Sequence, residues 1–193
     1  FEDAIPSIRE FVTKAGAKPF TFFFIDPTGW TGFSMKAIGP LLSMDSSEAL
    51  VNFMTGHIRR FLEMEESQES FELLFGSDVR PLLQGLKGQE REDAAVFAYA
   101  RNLRQACGYK YVCVAVVIKH DEDTSHFHLI YGTRNPRGVD VFKDAERGAM
   151  DVSEKARIER IERDGGMGFL FAEEELGPSK YYGTLRSRYS SLA

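Results

Sequence analysis

Asp26 and Pro27 stand where a run of apolar and aromatic positions, Phe20 to Ile25, gives way to Thr28, Gly29 and Trp30. A carboxylate at that boundary has two uses. At the mouth of a cleft it would present its oxygens and the neighbouring carbonyls to a ligand, with Pro27 and Gly29 holding a turn tight enough for close approach. Otherwise it opens an ordinary Asx or type I turn, as Asp-Pro does after many strands. Trp30, beside Gly29 and Gly32, offers a flat face on which a planar substrate could stack, worth roughly 1–3 kcal/mol for a base, or it caps the core. Asn52 ends a second apolar run, and its amide could bind substrate or satisfy the adjacent loop. Arg134 follows Gly132 and Thr133, where a guanidinium could fork onto a carboxylate or phosphate, or form a structural ion pair.

Other polar residues point to chemistry less directly. His57, Arg59 and Arg60 could contact phosphate, but with Ile58 and Phe61 inward on the same helix they read as a solvated face. His126 and His128, two apart on a strand, share a face; without a third ligand an edge or surface face accounts for them, and no metal is expected. Cys107 and Cys113 lack metal-ligand spacing and fit small buried hydrophobes in a reducing cytoplasm. No Ser-His-Asp order, phosphate-cradling glycine loop or paired carboxylate motif stands out, which sets nucleophilic and nucleotide-hydrolysing mechanisms aside.

The elements that must hold these residues follow from hydrophobic period. Ile5, Ile8, Phe11 and Val12 predict a helix started by Asp3 and Pro6 and ended at Gly16. Phe20 to Ile25 predicts a central strand covered on both faces, which places Asp26 at its carboxyl end. Met35, Ile38, Leu41 and Leu42 predict a second helix, Ala49 to Phe53 a buried strand, and Ile58, Phe61 and Leu62 another helix. Residues 63–88 show no reliable period and read as an excursion or lid, with Phe71, Leu73, Leu74 and Phe75 able to dock a short helix. Val96, Tyr99, Leu103 and Cys107 form a helical stripe closed by Gly108. Two apolar runs around Asp121 to Ser125 predict an antiparallel hairpin, and the alternating charges of 144–163 a solvated helix.

The sum is an α/β sheet with an antiparallel edge. In such sheets ligands bind beyond the carboxyl ends of the strands, where this reading places Asp26, Asn52 and Arg134. The 193 residues, 43% hydrophobic, suffice for the core of one domain, and a formal charge of −5 gives no general attraction for nucleic acid or anionic membrane, although local basic patches leave both open. The longest apolar run, Tyr111 to Ile118, is too short to cross a bilayer, no signal-peptide pattern opens the chain, and a cytoplasmic location without membrane is expected.

The ordered set "FFFIDPTGW", "EALVNFM", "HIRRFL" and "FHLIYGTR" followed by "GVDVFKDAERGAM" resembles the three-Cys-motif partner proteins, whose fold is similar to that of class I S-adenosylmethionine-dependent methyltransferases. The resemblance runs from about residue 1 to about residue 163 and leaves 164–193 as a loop-rich tail or the start of a further small helical element. It implies a Rossmann-like three-layer sandwich, mostly parallel, ending in an antiparallel hairpin. It also implies that Asp26 and Pro27 form the wall between methyl donor and acceptor, and the candidates Thr28, Gly29, Trp30, Asn52 and Arg134 are then expected as substrate-binding residues. Methyltransferases acting on base amino groups carry Asp-Pro-Pro and an aromatic; here Thr28 and Gly29 replace the second proline and the ring, and Trp30 comes one place later. The match therefore does not specify an amino-group acceptor. Only 25 residues precede Asp26 and the chain opens on Phe1, so the glycine-rich donor-binding half is expected upstream, and S-adenosylmethionine is expected to bind only with it. The resemblance implies either a methyltransferase acting on an acceptor such as nucleic acid, or a non-catalytic module that binds a three-cysteine-motif radical S-adenosylmethionine protein.

Overall fold

A computed structural model describes residues 2–16, 19–27, 33–56, 68–118 and 125–164. A 3-10 turn, Glu2–Ala4, leads into helix α1, Ile5–Lys14; β1, Thr21–Ile25, is followed by α2, Met35–Leu42, and β2, Ser47–Phe53. Two short helices come next, α3, Gln68–Phe75, and α4, Arg80–Leu83. The long helix α5, Gly88–Cys107, precedes the hairpin strands β3, Tyr111–Ile118, and β4, Ser125–Thr133, and α6, Pro136–Asp164, ends the described chain. The helix expected over Ile58 to Leu62 and the tail 165–193 lie outside the described residues.

The helical stripes explain most of the packing. Val96, Tyr99, Leu103 and Cys107 are all buried along α5, and Gly108 ends that helix in the left-handed conformation a glycine adopts without a Cβ penalty. Ser34 caps α2 by accepting from the Ala37 amide at 3.2 Å, and Met35, Ile38, Leu41 and Leu42 are buried as their spacing predicts. Within 68–83 lie the two short helices α3 and α4 with a break at 76–79, and the short helix expected to dock there does so through Phe71, Leu74 and Phe75, while Leu73 faces out. In α1 only Ile5 and Val12 are buried; Phe11 is 74% exposed, because it sits a quarter turn away from the line that joins them.

The four strands lie in the order β1-β2-β4-β3. β1 and β2 are parallel, and the hairpin's returning strand β4 inserts antiparallel between β2 and β3. β1 is thus an edge of this sheet and not the central strand its apolar run predicts. Phe22 and Phe24 are 49% and 58% exposed, while Phe23 and Ile25 turn to the core. An apolar run reports a strand able to be covered on both faces, but whether the covering elements are near it is a matter of topology.

β2 shows the two faces plainly, with Ser47, Ala49, Val51 and Phe53 buried and the residues between them half-buried. The inner side packs on α2, α3 and α5 through Ile38, Leu42, Phe75, Val96, Tyr99 and Leu103. The other side is covered over β3 and β4 by α6, which begins eight residues before the charged segment that announces it. Across the sheet Glu48 of β2 accepts from the Tyr131 hydroxyl at 2.6 Å and from Thr133 Oγ1 at 2.7 Å on β4, and Asn135 Oδ1 accepts from the Arg137 amide at 3.0 Å where α6 starts. Burial and that carboxylate push the Tyr131 phenol up to about 12. Among the described residues no helix is long and apolar enough to cross a membrane.

Gly132 is required by close approach, since a Cβ there would lie 2.5 Å from Cδ2 of the Tyr109 ring, which is itself buried. Gly132→Ala is expected to cost about 1–3 kcal/mol, the usual penalty of overpacking. Urea denaturation should show a lowered midpoint at unchanged slope, and a midpoint equal to that of the unsubstituted chain would show that the ring moves freely.

Candidate functional site

Because β1, β2 and β3 run the same way, their carboxyl ends share one rim of the sheet, and β4 ends at the opposite rim. Register pairs Ile25 with Val51, which sets Asp26, the next residue, against Asn52. The two side chains meet: Asn52 Nδ2 donates to Asp26 Oδ1 at 2.8 Å. Asp26 is exposed and Asn52 half-buried, so the amide holds the carboxylate's orientation while leaving its charge in solvent. The remaining amide oxygen, Asn52 Oδ1, is buried without a hydrogen-bond partner among the described residues, as is Thr55 Oγ1 three residues on. Pro27 follows at the same rim, half-buried. Thr28, Gly29 and Trp30 lie outside the described residues, as do His57, Arg59 and Arg60.

Arg134 is not part of this rim. It follows β4, whose direction carries it to the amino ends of β1, β2 and β3. There Nη1 donates to the Ser47 carbonyl at 3.0 Å and to Ser47 Oγ at 3.2 Å, and Nη2 to the Leu42 carbonyl at 3.2 Å and to that of Cys107. Its guanidinium carbon lies 4.6 Å from the centroid of the Tyr109 ring. Among the described residues it forms no ion pair; its partners are three carbonyls and the Ser47 hydroxyl, two of the carbonyls at the C-terminal ends of α2 and α5, where unpaired C=O groups favour a cation. The sequence shows that the residue ends a strand but not that the strand is the reversed one.

His128 is likewise not at an edge or surface. It is fully buried, opposite Phe53 in register, and among the described residues neither ring nitrogen has a partner. Burial holds its imidazole down to about 4, so it is neutral at pH 7. The side chain of His126 lies outside the described residues, and among those described no group of three or more His, Cys, Asp or Glu is placed to hold a metal. Cys107 is buried and its thiol is pushed up to about 12 by that burial; Cys113, half-buried, is raised by the same cause. Neither supplies a thiolate nucleophile at neutral pH.

Two acidic residues that sequence reasoning passed over belong to the same end of the molecule. Glu92 and Asp93, 1% and 6% exposed, lie in the first turns of α5, and Asp93 accepts from Gln89 Nε2 at 2.7 Å. Glu92 continues the buried stripe two turns ahead of Tyr99, whose ring is 4.6 Å from that of Phe53. The signal was available: a carboxylate at the stripe position of an otherwise apolar helix face. Chemically the rim therefore carries one solvent-facing carboxylate, oriented by an amide, with buried polar groups beneath it.

A groove of about 340 Å³ runs between the sheet and α6 and is lined by Leu50, Leu129, Ala115, Phe142, Ala149 and Met150 among others. Set against known proteins, the chain matches no family model, no curated protein and no solved structure.

Two outcomes follow from these positions. Arg134→Met would remove the guanidinium from the Ser47 and Cys107 carbonyls and from that of Leu42, which keeps only the Ser47 hydroxyl at 2.7 Å, and is expected to cost about 3 kcal/mol, with Arg134→Lys recovering little because one ammonium cannot match a planar fork. Chemical denaturation of the three proteins reads this, and a neutral Arg134→Met would refute a structural role. His128, neutral when folded and protonated below about 6.5 when unfolded, contributes stability fully present above pH 6.5 and lost as pH falls towards 4, on the order of 3 kcal/mol in all. His128→Phe should therefore lose less stability than the parent chain between pH 7 and pH 5; an equal loss would place the titration elsewhere.

Proposed function

We propose that this chain is the acceptor-side half of a methyltransferase-like domain that uses S-adenosylmethionine, with Asp26 and Asn52 facing the methyl acceptor. The observation that carries the reading is the 2.8 Å hydrogen bond between their side chains at the carboxyl ends of adjoining parallel strands, the rim where open α/β sheets bind ligands. Two parallel strands followed by a hairpin whose returning strand lies antiparallel beside them support the resemblance to the three-Cys-motif partner proteins and a Rossmann-like fold. Nucleic acid is retained as an acceptor class on the strength of that resemblance alone.

The described residues do not fit the methyl donor itself. Among them, no glycine-rich turn follows a strand and no carboxylate is placed for a ribose ahead of β1. A donor-binding half would join at the free edge of β1 and cover Phe22 and Phe24, both exposed. What this chain supplies is positioning: Asn52 fixes the Asp26 carboxylate, Pro27 restricts the backbone that follows it, and the neighbouring apolar face limits water.

The second reading is a non-catalytic module that binds a radical S-adenosylmethionine protein, and the same open edge favours it. Among the described residues no strand pairs the outer side of β1, and that edge, flanked by exposed Phe20, Phe22 and Phe24, forms a surface that another chain's strand can extend.

The test separates the readings. S-adenosylmethionine titrated calorimetrically into residues 1–193 alone should give no saturable heat. In a polypeptide that joins these residues to a donor-binding half, Asp26→Asn should lower methyl transfer by about 100-fold, the usual scale for loss of a positioned proton acceptor, at an unchanged melting temperature. Unaltered transfer in Asp26→Asn would remove the carboxylate from the reaction and leave the module.

A further inference from the structure

The two edges of the sheet are built differently. At β3 an amine sits on the backbone, Lys143 Nζ donating to the Val114 carbonyl at 3.3 Å, and lysine at an edge is one of the usual guards against pairing with another chain. β1 has no charged side chain, no proline and an unbroken register with β2. Its backbone polarity is fixed by that parallel ladder. The Thr21 amide donates to the Ser46 carbonyl at 3.1 Å, and along such a ladder alternate residues turn both backbone groups to the neighbour. Thr21, Phe23 and Ile25 therefore give their N–H and C=O to β2. Phe22 and Phe24 turn theirs outwards, as does Phe20 when the alternation is carried one residue back.

The same three residues carry the exposed rings. Phe20, Phe22 and Phe24 are 66%, 49% and 58% exposed, on the side of the sheet away from the core to which Phe23 and Ile25 turn. The edge thus presents donors, acceptors and aromatic rings at the same positions, and nothing on it repels a copy of itself. We infer that residues 1–193 form a twofold dimer in which β1 pairs antiparallel with β1 of a second copy, Phe22 opposite the partner's Phe22 and Phe20 opposite the partner's Phe24.

This register opposes every exposed ring of the edge with another. The paired positions are those whose backbone groups point outwards, so each pair exchanges both N–H···O bonds, and a twofold axis normal to the sheet keeps all the rings on one face. Cross-strand aromatic pairs are among the favourable ones. A centre one residue later, at Phe23, would instead set Phe20 against the partner's Asp26. At about 200 Å² for a phenylalanine side chain, the exposed parts of the three rings come to about 350 Å² in each copy. With the strand backbone the two copies together bury about 1,000 Å², the low end for a specific interface, and the dimer is expected to be half-formed at about 10 μM. It closes on itself, because the pairing consumes β1 of both copies. The inference goes beyond both functional readings, neither of which makes the chain its own partner. A donor-binding half would take the same edge, so the dimer belongs to the chain whose β1 is free. The methyl-transfer test is read on a different polypeptide, and either can fail alone.

Sedimentation equilibrium of residues 1–193 between about 1 and about 200 μM should show the mass rise from one chain to two and no further. Phe22→Lys sets two ammonium groups against each other across the axis; it should stay monomeric over that range while keeping its circular dichroism spectrum. Phe22→Cys reads the register. Opposed residues of a hydrogen-bonded antiparallel pair have Cα atoms about 5.5 Å apart, within the span of a disulfide, so mild oxidation should link the two copies. Phe24→Cys alone should not link, but an equal mixture of Phe20→Cys and Phe24→Cys chains should. The unsubstituted chain, with its own Cys107 and Cys113, sets the background. A chain that stays monomeric at about 200 μM, association beyond the dimer, a dimer that survives Phe22→Lys, or linkage of Phe24→Cys as fast as that of Phe22→Cys would each overturn the inference.

Discussion

Three peptide carbonyls converge on the guanidinium of Arg134, and the arrangement of the helices against the sheet depends on that meeting. α2 ends at Leu42 and α5 at Cys107, each with carbonyls that no helical amide can satisfy, while β2 begins at Ser47. One planar group donates to all three, and the Tyr109 ring stacks on its face. The ring in turn occupies the space that Gly132 leaves open on β4. A cation at two helix C-termini is also where the helix dipoles favour it. The contact ties two helices and two strands together at one rim, and so fixes how α5 lies along the strands.

The opposite rim receives what that orientation delivers. With its C-terminus held beside Arg134, α5 starts near the carboxyl ends of β1, β2 and β3 and brings buried Glu92 and Asp93 to that side. Asp26, Asn52 and Thr55 collect there, with His128 beneath them. The carbonyl-bound guanidinium and the Asp26 carboxylate are thus separated by the length of the sheet. The amino rim is tied together by the hydrogen bonds of Arg134 and is structural, whereas the carboxyl rim holds Asn52 Oδ1 and Thr55 Oγ1 unmatched among the described residues. Unsatisfied buried polar groups are uncommon in folded proteins, and Asn52 Oδ1 and Thr55 Oγ1 lie beside the amide-oriented Asp26 carboxylate, which is the physical basis for placing the site at that rim.

The sheet is covered unevenly. Its inner side is packed by three helices, but on the other side α6 lies over β3 and β4 and leaves β1 open, with Phe22 and Phe24 exposed beside an unpaired edge. Native edges are usually blunted by charge, proline or a bulge, and β1, five residues of Thr, Phe and Ile, has none of these. The same strand therefore bounds the candidate site through Asp26 and presents a surface suited to further polypeptide, which is why the enzymatic and module readings share their observations.

The sequence by itself determined the local elements. The stripe along α5, the hairpin, the buried face of α2 and the end of a strand at Asp26 all follow from period and turn chemistry, which act over a few residues. It also singled out Asp26 and Asn52 as residues at strand ends, though not their bond. Only the tertiary structure decided the rest. That β4 returns between β2 and β3, antiparallel to both, sent Arg134 to the far rim and His128 into the core, and no local pattern carries strand order. That β1 stands at an edge is equally invisible in its composition, since Phe20 to Ile25 reads the same whether or not a neighbour is present. The side-chain contact of Asp26 with Asn52 joins residues 26 apart in the chain, and it exists because parallel pairing of β1 with β2 sets their ends level.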